Sequence, residues 1–278
     1  MKVIVELDAL PAGMRFVATV GVFDGMHRGH AQVLHALTRL GAELAATPVV
    51  LTFHPHPQVL IAGSAPPLLC DPAERLTLLE AAGIGVTILQ RFDEAFRMQS
   101  AETFLHRLSV GRDLAGLVMS SESAFGHDRD GTVDTARRIA AHEGWRLREV
   151  PTLEVGGARV SSGRIRSLVA EGRLDQARRL LGRRYAVSGR PQPADGTGRG
   201  QVVDFEAPVA LPREGVYEVR LGPPRAQRTG LLRVHAGHVA LRQGAPSERL
   251  GAHHSEPLVR IELTRRVARE RWMDARTG

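Results

Sequence analysis

One stretch near the amino terminus limits the possible fold more than any other part of the sequence. The apolar and β-branched run Phe16-Val17-Ala18-Thr19-Val20 is typical of a buried strand. It leads into the turn Gly21-Val22-Phe23-Asp24-Gly25-Met26-His27-Arg28-Gly29-His30, after which Ala31–Leu40 has apolar residues at helical spacing. A strand, a glycine-rich turn and a helix in this order predict the start of an α/β domain.

The turn also has the composition of an anion site. Glycines at 21, 25 and 29 let a ligand approach the backbone closely, and the free N–H groups at the start of a helix favour negative charge. His27 and His30 are three residues apart, so on a first helical turn both rings can donate hydrogen bonds to the same phosphate group. The alternative is a glycine-rich turn that carries two surface histidines.

This segment resembles the HxGH signature of the nucleotidyltransferase superfamily. The longer form GxFDGxHxGH is similar to the adenylyltransferase module of the bacterial bifunctional riboflavin kinase/FAD synthetases. The resemblance implies that ATP binds over the two histidines and that an acceptor phosphate attacks its α-phosphorus and releases pyrophosphate. It implies catalytic roles for His27 and His30, and nucleotide contacts from Gly21, Phe23, Asp24 and Gly25.

A second segment, Ser161-Ser162-Gly163-Arg164-Ile165-Arg166, combines serines that can cap a helix with arginines on its first turns. Capping alone explains the serines but not Arg166. The segment resembles the family's Ser-Ser-Thr-x-Ile-Arg block, which closes on the triphosphate; the resemblance implies that Ser161 and Ser162 bind nucleotide and that Arg166 takes part in catalysis. Gly163 stands where the family usually has threonine, so one hydroxyl is missing.

Two further segments resemble parts of the family that lie near the acceptor. Thr52-Phe53-His54-Pro55-His56-Pro57 is similar to the Phe-x-Pro-His-Pro block, which implies acceptor contacts from His54, Pro55 and His56. A metal site on the two alternating histidines is the alternative, but neither cysteine nor carboxylate is close in sequence. The stretch 120–127 resembles the flavin-side loop, which implies contacts from Ser123 and Phe125. Ser123 stands where asparagine is usual, and a polar surface loop is the alternative there.

The remainder of the pattern predicts two domains. Between residues 1 and about 182, strand-like runs alternate with helical ones, which predicts an α/β, Rossmann-like doubly wound parallel sheet. Ser188–Gly200 is rich in turn residues and predicts a linker or the start of a new domain. Short strand-like pieces follow and predict a small β-barrel. We therefore expect a nucleotidyltransferase domain over residues 1–185 and a barrel domain over 186–278.

The barrel resembles the family's kinase module in its framework only. That module carries Gly-Phe-Pro-Thr-Ala-Asn, whose threonine and asparagine hold metal and phosphates. At the corresponding place this chain has Asp204-Phe205-Glu206-Ala207-Pro208-Val209. An alanine and a valine cannot replace a hydroxyl and an amide, so the comparison implies that riboflavin kinase activity is lost.

Composition excludes several other classes of protein. The chain has 278 residues with 43% hydrophobic, enough for a substantial core, and its apolar runs are shorter than a membrane span. The amino terminus does not resemble a secretory signal, and the single cysteine, Cys70, excludes an internal disulfide; we expect a cytoplasmic enzyme. Of 37 basic residues only Lys2 is lysine, which suggests codon bias more than a nucleic-acid surface.

These observations lead to three hypotheses. The first is a magnesium-dependent FMN adenylyltransferase that makes FAD from ATP and FMN, in which phosphates and water hold most of the Mg²⁺ coordination, so that no protein ligand to the metal is expected. The second is a nucleotidyltransferase that acts on a different phosphorylated acceptor. The third is a non-catalytic regulator that binds flavin or nucleotide. We expect no nucleic-acid or membrane partner, and the sequence leaves the oligomeric state open.

Overall fold

The structure is a computed structural model that describes residues 1–193, 201–223, 226–243 and 258–274. The chain forms two compact units. Met1–Pro66 and Pro72–Val160 make the first, while Pro67–Asp71 and the described residues from Ser161 onward make the second. The compact units thus divide the chain at Ser161, and the domain boundary at 185/186 stays a prediction of the sequence.

The first unit is built on a six-stranded sheet. Its strands are β1 (Lys2–Val5), β2 (Arg15–Val20), β3 (Thr47–Phe53), β4 (Val86–Gln90), β5 (Asp113–Ser120) and β6 (Arg146–Val150). They lie in the order β1-β4-β3-β2-β5-β6, and every neighbouring pair is parallel. This confirms the predicted parallel sheet and adds an edge strand, β1, that the sequence pattern did not predict.

Helices cover both faces of this sheet. They are α1 (Arg28–Glu43), α2 (Gln58–Ala62), α3 (Pro72–Ala81), α4 (Glu94–Arg97), α5 (Ala101–Ser109) and α6 (Val133–Glu143). Because side chains alternate along a strand, Val17 packs with α1 and α3 on one face, while Phe16 and Ala18 pack with α5 and α6 on the other. The sheet is therefore doubly wound, as predicted.

The strand order places a crevice beside β2. The chain runs from β2 to β3 and β4 on one side and then crosses to β5 and β6 on the other, so the order reverses between β2 and β5. In open α/β sheets, ligands bind outside the carboxyl ends of the strands at such a reversal. The Gly21–His30 turn and the 120–131 loop leave these two strand ends.

The second unit contains a closed antiparallel barrel. The elements of the second unit are α7 (Ser162–Ala170), α8 (Leu174–Leu181), β7 (Ala186–Pro193), β8 (Gln201–Asp204), β9 (Gly215–Leu221), β10 (Arg228–His235), β11 (His238–Gln243), β12 (Val259–Val267) and α9 (Glu270–Asp274). The strands close in the order β10-β11-β8-β7-β12-β9. Closure removes unpaired sheet edges, and apolar side chains such as Val219, Leu232 and Ile261 fill the interior.

The barrel agrees with the sequence prediction. The first residues of Ser188–Gly200 belong to the barrel, because Ala186–Pro193 forms the strand β7. Residues 194–200 lie outside the described residues. In the described part of the chain, none of the helices is both long and apolar enough to cross a membrane.

Candidate functional site

The turn after β2 is buried and conformationally strained. Phe23 and Met26 adopt left-handed backbone angles, with φ of 52° and 40°, and Gly25 between them has φ of 76°. Such angles are uncommon for residues with side chains and occur most often where function constrains the backbone. Asp24 is also buried, at 3% exposed, so the turn packs its side chains inward and directs the chain into α1.

His27 and His30 meet at the start of α1. His27 is the N-cap residue, and its Nδ1 accepts a hydrogen bond from the backbone N–H of His30 at 3.2 Å. The two rings are stacked, with centroids 3.6 Å apart and an interplanar angle of 14°. Because Nδ1 of His27 is an acceptor, the neutral ring carries its proton on Nε2, which can donate to a ligand.

Two glycines make room for these rings. A Cβ on Gly29 would lie 3.2 Å from the His27 ring, and one on Gly21 would lie 3.1 Å from the Phe23 ring. The Phe23 ring in turn lies 5.0 Å from the His30 ring. The glycines of the motif thus permit close packing of the aromatic and imidazole rings, in addition to any approach of a ligand.

His30 is held in its neutral form. Burial lowers the pKa of the His30 imidazole well below its ordinary value of 6.5, and the neighbouring His27 lowers it further. Its buried Nδ1 has no hydrogen-bond partner in the described structure. A buried polar atom without a partner stabilises the protein less than a paired one.

This pKa shift predicts a pH dependence of stability. The unfolded chain binds a proton at His30 near pH 6.5, whereas the folded protein resists it, so the free energy of unfolding falls as pH drops below about 6.5. The slope for one full proton is about 1.4 kcal/mol per pH unit. Urea denaturation between pH 7.5 and 5.5 measures it. The His30→Gln variant should show a shallower decline, and an equal decline in both proteins would contradict the assignment.

A large cavity lies at the reversal of strand order, within the first unit. It has a volume of about 700 Å³ and five of the chain's eight phenylalanines line it: Phe53, Phe92, Phe96, Phe104 and Phe125. Their rings contact one another edge-on or tilted, with centroids 5.3 to 5.9 Å apart. A cavity with aromatic walls of this kind suits a flat, largely apolar ring system.

The cavity and the histidine turn are adjacent along the chain. Val20, Gly21 and Val22 line the cavity, and Phe23, the next residue, contacts His30. The 120–131 loop also lines the cavity, and within it Ser123 Oγ is 2.7 Å from Ser120 Oγ. The first unit therefore places the two histidines beside the aromatic cavity.

The family model described as FAD synthetase matches residues 11–164. The chain belongs to the FAD synthetase family. Among curated relatives, the bifunctional riboflavin kinase/FMN adenylyltransferase of Pseudomonas fluorescens is 32% identical over 63% of this chain and 56% of its own length. The protein of the same description from Escherichia coli K12 is 32% identical over 74% of this chain and 67% of its own length. The match thus spans little more than half of the Pseudomonas relative.

A solved structure shares the fold of this FAD synthetase family member. The crystal structure of a macrolide-efflux protein from Streptococcus pneumoniae superposes with a TM-score of 0.82 and covers 96% of this chain and all of that one. The identity is 20%, so the likeness shows a common fold and nothing about activity.

The structure separates the sequence-predicted acceptor residues into two groups. Ser123 and Phe125 line the cavity, whereas His54, Pro55 and His56 are not among its lining residues. His54 and Pro55 are exposed, and His56 Nδ1 accepts a hydrogen bond from the N–H of Gln58 at 3.2 Å. Acceptor contacts from these three residues stay a prediction.

The predicted phosphate-binding serines and arginine lie in the second unit. Ser161 caps α7, since its hydroxyl accepts from the N–H of Arg164 at 3.2 Å. Ser162 is the first residue of that helix, and the Arg166 guanidinium donates from Nε to the carbonyl of Pro67 at 2.9 Å. Capping is therefore one function of this segment, and its binding of nucleotide stays a prediction.

Sequence reasoning missed most of the cavity wall. The local sequence pattern does not show that Phe92, Phe96 and Phe104 line the cavity. The one available signal was the recurrence of phenylalanine in a chain with only 4% aromatic residues. Metal binding at His54 and His56 gains no support, because the described residues contain no group of three histidine, cysteine or carboxylate side chains that could hold an ion.

Proposed function

We propose that this protein is an FMN adenylyltransferase, which transfers AMP from ATP to FMN and releases pyrophosphate. The observation that carries the proposal is the shared loop: Gly21 lines the aromatic cavity, and Phe23 contacts the ring of His30. A flat acceptor in the cavity can therefore present its phosphate to a nucleotide held by the histidine pair. The relatives described above, which are riboflavin kinase/FMN adenylyltransferases, and the match to the FAD synthetase family model support the same reaction.

The chemistry requires positioning and charge neutralisation more than a covalent intermediate. An oxygen of the FMN phosphate attacks the α-phosphorus of ATP, a new P–O bond forms, and the bond from the α-phosphorus to the bridging oxygen breaks. His27 donates from Nε2 to the phosphate oxygens, and His30 lies stacked against it to do the same. The negative charge of a bound triphosphate raises the pKa of His30 from its lowered value, so binding of the triphosphate favours the protonated imidazole.

Asp24 and the glycines shape the pocket rather than react. The buried turn holds Phe23 and Met26 in left-handed angles, and this fixes the direction in which α1 presents the two histidines. We infer that Ser161, Ser162 and Arg166 also contact the phosphates of ATP. That inference rests on their sequence motif, and the hydrogen bonds described above show only how the segment is ordered.

The site is compatible with Mg²⁺ that arrives with ATP. Mg²⁺ usually keeps several waters and is held through substrate phosphates and one or two carboxylates. When bound, the ion neutralises charge on the triphosphate. The residues of this chain then bind the remaining phosphate oxygens and orient the α-phosphorus.

We also infer that the barrel does not phosphorylate riboflavin. In the loop that corresponds to the family's kinase motif, Glu206 forms an exposed ion pair with Arg190 at 2.9 Å. The next residues pair with another backbone segment: Leu68 N–H donates to the Pro208 carbonyl at 2.8 Å and the Leu68 carbonyl accepts from Ala210 N–H at 2.9 Å. Neither the ion pair nor this backbone pairing supplies the hydroxyl and amide of the motif.

Gly163 offers a direct test of the missing hydroxyl. A Cβ built at this position meets nothing within 4 Å, so Gly163→Thr fits and replaces a poor helix former in α7. We expect KM for ATP to fall several-fold, since one hydrogen bond contributes about 1 kcal/mol. The matched control Gly163→Ala adds the Cβ without the hydroxyl. Equal effects of both variants on KM would show that helix propensity alone is responsible.

The experiment that tests the function is an end-point assay with purified protein, ATP, Mg²⁺ and one acceptor at a time. FMN is expected to give FAD and pyrophosphate, whereas riboflavin is expected to give no FMN. Pyrophosphate release with a different phosphorylated acceptor, but not with FMN, would favour the second hypothesis. Flavin binding without turnover would favour a regulator.

A further inference from the structure

A buried arginine, Arg75, forms hydrogen bonds to the backbone of both the histidine turn and the cavity wall. Arg75 lies on α3 and is 7% exposed. One of its terminal nitrogens donates to the carbonyl of Val22 at 2.9 Å, and the other donates to the carbonyl of Phe53 at 3.3 Å. These carbonyls belong to different segments, since Val22 follows β2 and Phe53 ends β3. Arg75 itself does not line the cavity.

The two residues that accept these hydrogen bonds, Val22 and Phe53, belong to the two parts of the candidate site. Val22 stands between Gly21 and Phe23 in the turn that carries the histidines, and it also lines the cavity. Phe53 is part of the aromatic wall and packs its ring against Phe92 at a centroid distance of 5.3 Å. A single guanidinium therefore bonds the backbone of the nucleotide turn and the backbone of the acceptor wall.

The chemistry of the side chain explains why an arginine suits this place. Its planar fork can donate to two carbonyls in a fixed geometry, whereas the ammonium of lysine is a compact point charge that does not hold that geometry. Burying a charge costs free energy unless its hydrogen bonds are satisfied. The Val22 carbonyl also accepts from the Thr52 hydroxyl at 3.1 Å, so this oxygen keeps a partner if one donor is removed.

We propose that Arg75 is a positioning residue that sets the spacing between the histidine turn and the acceptor cavity. This inference rests on the proposed function. In-line transfer depends on the distance between the attacking oxygen and the α-phosphorus, and a displacement of about 1 Å can cost on the order of 10²-fold in rate. Arg75 thus acts on kcat through Val22 and Phe53, without contact with either substrate.

The test compares Arg75→Lys with Thr52→Val. Arg75→Lys keeps a buried positive charge but loses the fork, and we expect kcat to fall about 10- to 100-fold while KM for ATP and the Kd of FMN change less than about threefold. Thr52→Val removes the other donor to the Val22 carbonyl and leaves the arginine in place. We expect its kcat to stay within about threefold of wild type. Equal losses in the two variants would overturn the proposal.

A second measurement separates positioning from folding. In Arg75→Ala, added guanidinium ion can enter the vacated space, and we expect it to restore kcat at least about tenfold, while sodium chloride at the same ionic strength does not. Circular dichroism and FMN fluorescence report folding and flavin binding in the same samples. A folded Arg75→Ala protein that binds FMN but gains no activity from guanidinium would also overturn the proposal.

The outcomes for the wild type separate this inference from the function on which it rests. If wild-type protein forms no FAD, the proposed function fails. If wild-type protein forms FAD and Arg75→Lys retains the same kcat, the function stands and only the role of Arg75 is wrong. If Arg75→Lys lowered kcat and raised the Kd of FMN equally, the positioning role of Arg75 would also be rejected, because damage to the cavity would explain the loss.

Discussion

Alanine at both His27 and His30 is expected to lower the rate of FAD formation by at least about 10³-fold. In the proposed mechanism each ring donates to phosphate oxygens, and removing one such donor typically costs about 10²- to 10³-fold in kcat. Residues that act as a unit are not additive, so the double variant need not show the product of the single losses. The measurement is the initial rate of FAD formation followed by chromatography.

The two positions also have a structural role that must be separated from this effect. His27 caps α1 through Nδ1, so His27→Ala is expected to cost about 1 kcal/mol of stability. His27→Asn is the matched control, because asparagine is an equally good N-cap but lacks the reach of the imidazole Nε2. Its stability is expected to match wild type while its activity falls. Full activity in a stable His27→Asn protein would show that this ring does not contact the triphosphate.

Phe125→Ala is expected to weaken FMN binding at least tenfold and to leave KM for ATP within about twofold. The Phe125 ring is half-buried, lines the cavity and packs edge-on against Phe104 with centroids 5.4 Å apart. The substitution removes part of the cavity wall and the aromatic face that the proposed complex offers to the flavin, and such aromatic pairs contribute about 0.5–1.5 kcal/mol beyond area burial. Quenching of FMN fluorescence measures the Kd.

An exposed apolar residue next to the cavity provides the control for this variant. Met98 is 52% exposed and is not a lining residue, although its neighbours Arg97 and Gln99 are. Met98→Ala is expected to leave the Kd of FMN within about twofold of wild type. If Phe125→Ala raised KM for ATP as strongly as the Kd of FMN, the assignment of the cavity to the acceptor would be wrong.

Local sequence patterns predicted the parts of the fold that depend on periodicity. The continuous apolar run of β2, and the helical spacing in α1, indicated a sheet covered on both faces, because a strand buried on both faces needs apolar residues on each. The turn between β2 and α1 was equally visible. Its three glycines and two histidines are close in sequence, and the structure brings the two histidine rings into contact.

The cavity could not be predicted in the same way. Its phenylalanines come from the end of β3, the segment around α4, the helix α5 and the 120–131 loop, which are distant in sequence. A phenylalanine that lines a cavity and one that fills a core obey the same periodicity, so only tertiary packing distinguishes them.

Three other features were hidden for related reasons. Arg75 appears in the sequence as an ordinary helix residue, and its burial shows only when α3 packs over β2 and β3. The left-handed angles of Phe23 and Met26 oppose local propensity and persist because the surrounding structure holds them. The lowered pKa of His30 depends on burial, which the sequence does not contain.

The most direct test of the central claim is FAD formation by the purified wild-type protein from FMN, ATP and Mg²⁺, with stoichiometric pyrophosphate release. The proposed function predicts one FAD for each pyrophosphate, and loss of both products in the His27→Ala, His30→Ala double variant. Folded wild-type protein that binds FMN but releases no pyrophosphate, under conditions in which an established FAD synthetase turns over, would contradict it.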